Sequence, residues 1–126
     1  MAYRTLPIST GFDQSYSCHR CDINDLDRAQ DVNERDWTCN HCGSSVSIVL
    51  ADDAGNTELV MRHQAQHLKV EHYVYLEHSW ADGALRVLES KPAGKANMWS
   101  LALKNYRRIT VESDRYFNCV ISGDML

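Results

Sequence analysis

Two short stretches decide how the first part of this chain folds: Cys18-His19-Arg20-Cys21 and Cys39-Asn40-His41-Cys42-Gly43. Each is a cysteine pair with two residues inside it, and the 17 residues 22–38 separate the pairs. Such a pair forms a tight turn whose backbone amides point at the sulfur atoms, and two pairs at this spacing supply four thiolates to one metal ion. Gly43 suits the positive φ that such a turn often needs. The pattern therefore predicts one structural zinc ion, with these ligands: Cys18, Cys21, Cys39 and Cys42.

The spacing resembles that of the zinc-ribbon family, in which two such turns are carried on β-hairpins. The resemblance covers residues 14–50, and its most typical part is Asp36-Trp37-Thr38-Cys39-Asn40-His41-Cys42-Gly43. The family implies a local fold and a bound Zn²⁺. Zinc ribbons occur in proteins of transcription, translation and repair, in ribosomal proteins and in enzymes, so the resemblance implies no particular activity. Four cysteine ligands also leave no open position for water, which argues against catalytic zinc.

Two alternatives concern the ligands and the metal. A rubredoxin-like iron site uses the same four-thiolate geometry, but Asn40 stands where that family usually has proline. His19 and His41 lie within the cysteine pairs, and either could replace a cysteine as a ligand, although exposed turn side chains are the simpler interpretation. The fifth cysteine, Cys119, lies in the apolar segment 116–121 and is predicted to be a buried thiol.

Composition and cysteine usage bear on the class of protein and its compartment. The chain has 126 residues, 44% of them hydrophobic and 24% charged, with a net charge of −4, which is ordinary for a globular protein. No apolar run approaches the roughly 20 residues that span a bilayer. Residues 1–7 contain no apolar core of a secretory signal. An odd number of cysteines, four of them in tight pairs, favours a reducing compartment. We therefore expect a cytoplasmic protein with no membrane partner.

The residue composition of the chain changes at the turn-like segment 52–56, after which β-branched, aromatic and aliphatic residues form short segments. We predict a zinc ribbon in residues 1–50 and a small β-rich domain in residues 57–126, and leave open that the two pack as one unit. The second part contains six strand-like segments: 58–61, 70–76, 84–88, 98–103, 108–111 and 116–121. A helical turn is expected near 63–68 and a chain turn at 80–83. The predicted fold is mainly β, a ribbon followed by a small β-barrel-like or curled antiparallel sheet.

Four histidines suggest a second metal site: His63, His67, His72 and His78. His63 and His67 would share one face if their segment were helical. Gln64 stands where the zinc-protease pattern needs glutamate, so that reaction is not supported. The alternative function is a small metal-dependent hydrolase or nuclease that uses His63, His67 and His72. Polar positions on a half-exposed sheet are the simpler interpretation.

Charge is distributed unevenly along the chain. Residues 22–36 carry six acidic and two basic side chains, whereas residues 86–115 carry seven basic and three acidic ones. Cations that contact phosphates, with aromatic rings that stack on bases, are typical of a single-strand-binding surface. The candidate contacts are Lys104, Tyr106, Arg107 and Arg108. A solvated face with Trp99 in the core is the simpler interpretation, and a pI of about 5.8 argues against a dedicated nucleic-acid binder.

These patterns favour a non-enzymatic adaptor or accessory protein. Its ribbon and its β-rich half are predicted to mediate binding to protein, nucleic acid or both, with a protein partner expected first. The sequence contains no phosphate-binding glycine loop and no Gly-x-Ser-x-Gly motif.

Overall fold

The computed structural model describes residues 8, 10–76 and 83–122. The strands in these residues are β1 (Asp13–Ser17), β2 (Val32–Asn33), β3 (Thr38–Cys39), β4 (Ser47–Ala51), β5 (Thr57–Gln64), β6 (Tyr73–Tyr75), β7 (Leu85–Pro92), β8 (Met98–Leu103), β9 (Arg108–Glu112) and β10 (Tyr116–Val120). One short helix, α1, spans Arg28–Asp31, and a 3-10 turn spans Ala65–His67. None of the helices in this part of the chain is long and apolar enough to cross a membrane. The predicted turn residues 80–82 and His78 lie outside the described residues.

Eight strands form one antiparallel sheet in the order β1-β4-β5-β10-β6-β7-β8-β9, and β2 and β3 form a separate hairpin. The predicted mainly β fold is confirmed, and the sheet is open, with β1 and β9 at its two ends. The last strand, β10, lies between β5 and β6. Strands β1 and β4 therefore belong to the same sheet as the strands that follow residue 57. The division into two domains stays a prediction.

All six predicted strands are present, and β8 has the predicted bounds. Leu101 and Leu103 are buried on the predicted apolar face of β8. Ser100 points to the opposite face and is also buried, and its hydroxyl accepts a hydrogen bond from Nη1 of Arg108 at 2.8 Å. The helical turn near 63–68 is a 3-10 turn at Ala65–His67, and the residues before it continue β5.

The sheet buries an apolar core on each face, since successive strand residues point to opposite sides. The first core consists of Tyr16, Cys18, Leu26, Val32, Trp37, Cys39, Val46, Ile48, Leu50, Val60 and Tyr75. The second consists of Ala65, Leu68, Val74, Val87, Leu101, Leu103, Phe117 and Cys119. Cys119 is fully buried, as predicted, and burial raises the pKa of its thiol to about 12. The first core matters for function, because two of the paired cysteines belong to it.

Helix α1 supports the second cysteine pair and explains part of the acidic segment. The side chain of Asp27 accepts hydrogen bonds from the amides of Ala29 (2.8 Å) and Gln30 (3.2 Å) at the start of the helix. The Asp31 carboxylate accepts one from the Asp27 amide at 2.8 Å. The Asp31 carbonyl accepts one from the Asn40 amide, also at 2.8 Å. Asp27 therefore caps the helix, and the backbone of Asp31 joins the helix to the loop that carries Cys39 and Cys42.

Replacing Asp27 by alanine is expected to lower the free energy of unfolding by about 1 kcal/mol, the usual cost of losing an N-cap. Asp25→Ala is the matched control, because Asp25 is exposed two residues earlier and caps no helix. Urea denaturation followed by circular dichroism measures both variants. Equal stability of the two variants would show that the cap contributes nothing.

Candidate metal centre

The structure brings the four paired cysteines together. Their Sγ atoms all lie within 4.8 Å of one another, and those of Cys18 and Cys42 are 3.4 Å apart. A tetrahedral ion with metal–sulfur bonds of ~2.3 Å places its ligand atoms ~3.8 Å apart. All five cysteines of the chain are free thiols. The four sulfur atoms therefore fit one four-coordinate metal ion.

The first cysteine turn follows directly from β1. Cys18 and Ile23 exchange backbone hydrogen bonds of 2.8 and 3.1 Å, which close the loop that contains the pair. The Cys21 amide points at Sγ of Cys18 at 3.4 Å. Asp22, just after the pair, has a φ of 55° in the left-handed region. This arrangement brings the sulfur atoms of Cys18 and Cys21 within 4.8 Å of each other.

The second cysteine turn is carried by the β2–β3 hairpin. The Cys39 amide donates to the Ser44 carbonyl, and the Gly43 amide donates to the Cys39 carbonyl, both at 2.8 Å. The His41 amide points at Sγ of Cys39 at 3.4 Å, the counterpart of the contact in the first turn. Gly43 has a φ of +77°, the conformation predicted from its position. The two turns thus have the amide–sulfur contacts expected of paired-cysteine metal sites.

The four cysteines differ in burial, and their surroundings shift the pKa of Cys18, Cys21 and Cys42. Cys18 and Cys39 are buried in the first core, Cys21 is half-buried and Cys42 is exposed. Backbone and side-chain hydrogen bonds from Ser44 lower the pKa of Cys42 to about 6. The pKa of Cys21 is raised to about 12, mainly because Cys21 is hydrogen-bonded to Cys42. Burial raises the pKa of Cys18. Holding Cys18 and Cys21 as thiolates therefore needs a positive charge near them, which a divalent metal supplies.

A buried arginine connects the metal centre to the sheet. Trp37, two residues before Cys39, places its ring 4.3 Å from the guanidinium carbon of Arg62 on β5. Arg62 donates two hydrogen bonds to the Asp13 carboxylate on β1, at 2.9 and 2.7 Å. Its Nε donates to Oδ1 of Asn118 on β10 at 2.8 Å. The side chains of Arg62 and Asp13 are only 0% and 2% exposed, so this ion pair is fully within the protein.

Two further side chains complete this cluster. Tyr16 stacks near Trp37, with ring centroids 6.4 Å apart, and its hydroxyl donates to Oδ2 of Asp13 at 2.6 Å. Burial, followed by that hydrogen bond, raises the pKa of Tyr16. The guanidinium of Arg28 lies 5.9 Å from the Trp37 ring. No pattern in the sequence predicts this cluster, because its members come from distant segments and no spacing rule links them.

The two histidines inside the cysteine pairs do not join the sulfur cluster. His19 is exposed on the first turn. His41 is also exposed, and its Nε2 lies 2.8 Å from Oδ1 of Asp31. The Asp27 amide, and then His41, lower the pKa of the Asp31 carboxyl. Both histidines are therefore exposed side chains of the cysteine turns, as the simpler interpretation predicted.

The histidines of the second part are not assembled into a metal site. Within the described residues, the four cysteines are the only group of three or more cysteine, histidine or acidic side chains close enough to share an ion. His63 lies on β5 and His67 in the 3-10 turn, so they do not have the helical spacing that would align them. His72 is buried, and its Nδ1 accepts a hydrogen bond from the Lys69 amide at 3.0 Å. The hydrolase or nuclease alternative gains no geometric support.

The four candidate nucleic-acid contacts separate into two groups. Lys104, Tyr106 and Arg107 are exposed in the turn between β8 and β9. Arg108 begins β9 and instead pairs with Glu89 on β7 at 2.8 Å. Trp99 packs against the second core and donates from Nε1 to Oγ of Ser90 at 2.8 Å, in agreement with the simpler interpretation of that residue.

Comparison with known proteins adds no second line of support for either site. No protein-family model, no curated protein and no solved structure matches this chain. The candidate metal centre therefore rests on the positions of its four sulfur atoms and on the turns that carry them.

Proposed function

We propose that Cys18, Cys21, Cys39 and Cys42 hold one structural zinc ion, and that the chain is a non-enzymatic binding module built around it. The observation that carries this proposal is the grouping of four sulfur atoms within 4.8 Å, two of them inside the first core. Four thiolates fill the tetrahedral coordination of zinc and leave no position for a substrate or water. This donor set supports a structural role for the ion.

The loop of the second pair supports zinc over a rubredoxin-like iron site. The amide of Asn40 donates to the carbonyl of Asp31 at 2.8 Å, and this bond joins the loop to α1. Proline has no amide hydrogen, so the proline usual in rubredoxin-like loops would remove the bond. The loop is thus built around Asn40 at the position where the iron family usually has proline.

The remaining buried charges also support a binding role over catalysis. Arg62 and Asp13 are hydrogen-bonded to each other and to neighbouring side chains, so their groups are engaged in holding the ribbon on the sheet. The module acts by presenting surfaces whose positions the metal and this ion pair set. Its partners are a protein, a nucleic acid or both. A reducing cytoplasm is the proposed compartment, because it keeps the cysteines as thiols.

The protein as purified is expected to contain one zinc ion per chain, measured by elemental analysis, and to be colourless. Cys42→Ser should lower the zinc content, because it removes one of the four ligands. Cys119→Ala is the matched control and should keep one ion, since Cys119 lies in the second core, outside the sulfur cluster. Visible thiolate-to-iron absorption would identify iron instead. A second bound ion per chain would support the metal site suggested for His63, His67 and His72.

A further inference from the structure

The turn between β8 and β9 forms an exposed tip of defined conformation. It consists of the four residues 104–107, all of them exposed. Asn105 has a φ of 59°, and the Tyr106 amide donates to the Leu103 carbonyl at 3.2 Å. These two features form a tight turn that projects the side chains of Lys104, Tyr106 and Arg107 from the end of the hairpin.

The two cations of the tip are not engaged by acidic side chains of the described residues. Most other cations in the second part of the chain are, through these pairs: Arg86–Glu71, Lys91–Glu89, Arg108–Glu89 and Arg115–Glu112. Lys104 and Arg107 form no such pair with a described carboxylate. Their charges are therefore available to neutralise an anionic ligand, at little cost in broken contacts.

An aromatic ring lies between these two cations in sequence. Tyr106 is 46% exposed, and the guanidinium carbon of Arg107 is 5.9 Å from its ring centroid. A nucleotide base can stack on such a ring while the neighbouring cations contact its phosphates. Bases in a duplex are already stacked and paired, so this mode of contact requires a single strand.

We propose that the tip of the β8–β9 hairpin, residues 104–107, binds single-stranded nucleic acid. The proposal rests on the binding role proposed above and names one partner of it. An acidic protein would meet the same cations. However, four turn residues are far fewer than the roughly 20 to 30 that each partner contributes to a standard protein interface. A flexible single strand needs only one base and two phosphates at the tip.

The test uses the full zinc-loaded chain and fluorescence anisotropy with labelled oligo-dT and oligo-U of about 12 nucleotides, beside a duplex of equal length. The single strands are expected to bind more tightly than the duplex. Two phosphate contacts predict an affinity that falls about sevenfold between about 50 and 200 mM salt, from a slope near 0.7 for each contact. Tyr106→Ala should weaken binding by about 5- to 150-fold, the range for loss of one stacked base.

A charge-matched pair of variants distinguishes binding at the tip from non-specific electrostatic attraction to the protein as a whole. Lys104→Glu is expected to weaken binding about tenfold or more, because it replaces an attraction to phosphate by a repulsion. Lys95→Glu makes the same change at an exposed lysine in the turn at the other end of β8, ~20 Å away along a six-residue strand. This control should bind almost as well as the unaltered protein.

Three results would overturn the proposal. The first is no binding by protein that is folded and contains one zinc ion. The second is equal weakening by Lys95→Glu and Lys104→Glu. The third is a protein that binds poly-glutamate but no nucleic acid, and that loses this binding in Lys104→Glu. That result would identify an acidic protein as the partner. In each case the measured zinc content tests the proposed metal centre separately from the binding of nucleic acid, so the two proposals can fail independently.

Discussion

Replacing Cys39 by serine is expected to unfold the segment that carries the two cysteine turns and to lower the thermal stability of the whole chain. A serine hydroxyl cannot replace a thiolate as a zinc ligand, and in small paired-cysteine domains the binding free energy of zinc, about 10–16 kcal/mol, is largely folding free energy. Cys18 and Cys39 are themselves core residues, packed with Trp37 and Val32 over the sheet. Loss of the ion therefore releases the segment that covers this face.

Thermal unfolding followed by circular dichroism, with and without a chelator, measures this effect. The unaltered protein should lose stability when the chelator is added, and Cys39→Ser should be unstable in both conditions. Cys119→Ala is the control, since its thiol is equally buried but belongs to the second core, and it should remain sensitive to the chelator. A Cys39→Ser protein with normal folding and thermal stability would show that the ion is not structural.

Replacing Arg62 by methionine is expected to lower the free energy of unfolding by about 3–5 kcal/mol, because it leaves the Asp13 carboxylate buried without its counter-charge. The change also removes the group on which the Trp37 ring packs. Asp13→Leu alone should cost a similar amount, since it leaves the arginine without its carboxylate. The double variant should recover much of the loss, because an apolar pair of similar volume has no charge to desolvate.

Urea denaturation of both single variants and the double variant forms a double-mutant cycle that isolates the coupling between the two side chains. Lys91→Met is the matched control: its ammonium pairs with Glu89, and their side chains are 58% and 44% exposed. An exposed pair of this kind contributes at most about 1 kcal/mol. If Arg62→Met cost no more than Lys91→Met, the buried ion pair would not be what holds the ribbon on the sheet.

Much of the local structure could be predicted from residue patterns. Cysteine chemistry and spacing indicated the sulfur cluster, because a pair two residues apart encodes its own turn. The alternation in 98–103 predicted β8 with its observed bounds. The apolar neighbours of Cys119 predicted its burial. Each of these inferences depends on residues that are close together in sequence.

Three features depended on contacts between distant segments. The spacing of His63 and His67 suggested a helix face, but pairing with β10 extends β5 to Gln64 and separates them. Arg108 was grouped with the basic turn, but it pairs with Glu89 on β7, two strands away across the sheet. The charge count of segment 22–36 predicts no structural role for its acids, but Asp27 and Asp31 are hydrogen-bonded within α1 and its loop.

The sequence by itself therefore determined the four-cysteine cluster and the mainly β class, because turn chemistry and period-two alternation act within a few residues. The tertiary structure alone decided that β10 enters between β5 and β6, and that Arg62 lies under Trp37 with Asp13 as its counter-charge. A strand specifies its own extended shape and apolar face, but its partner is selected by the burial and hydrogen bonding of the whole sheet. The position of the metal centre on the sheet follows from that selection.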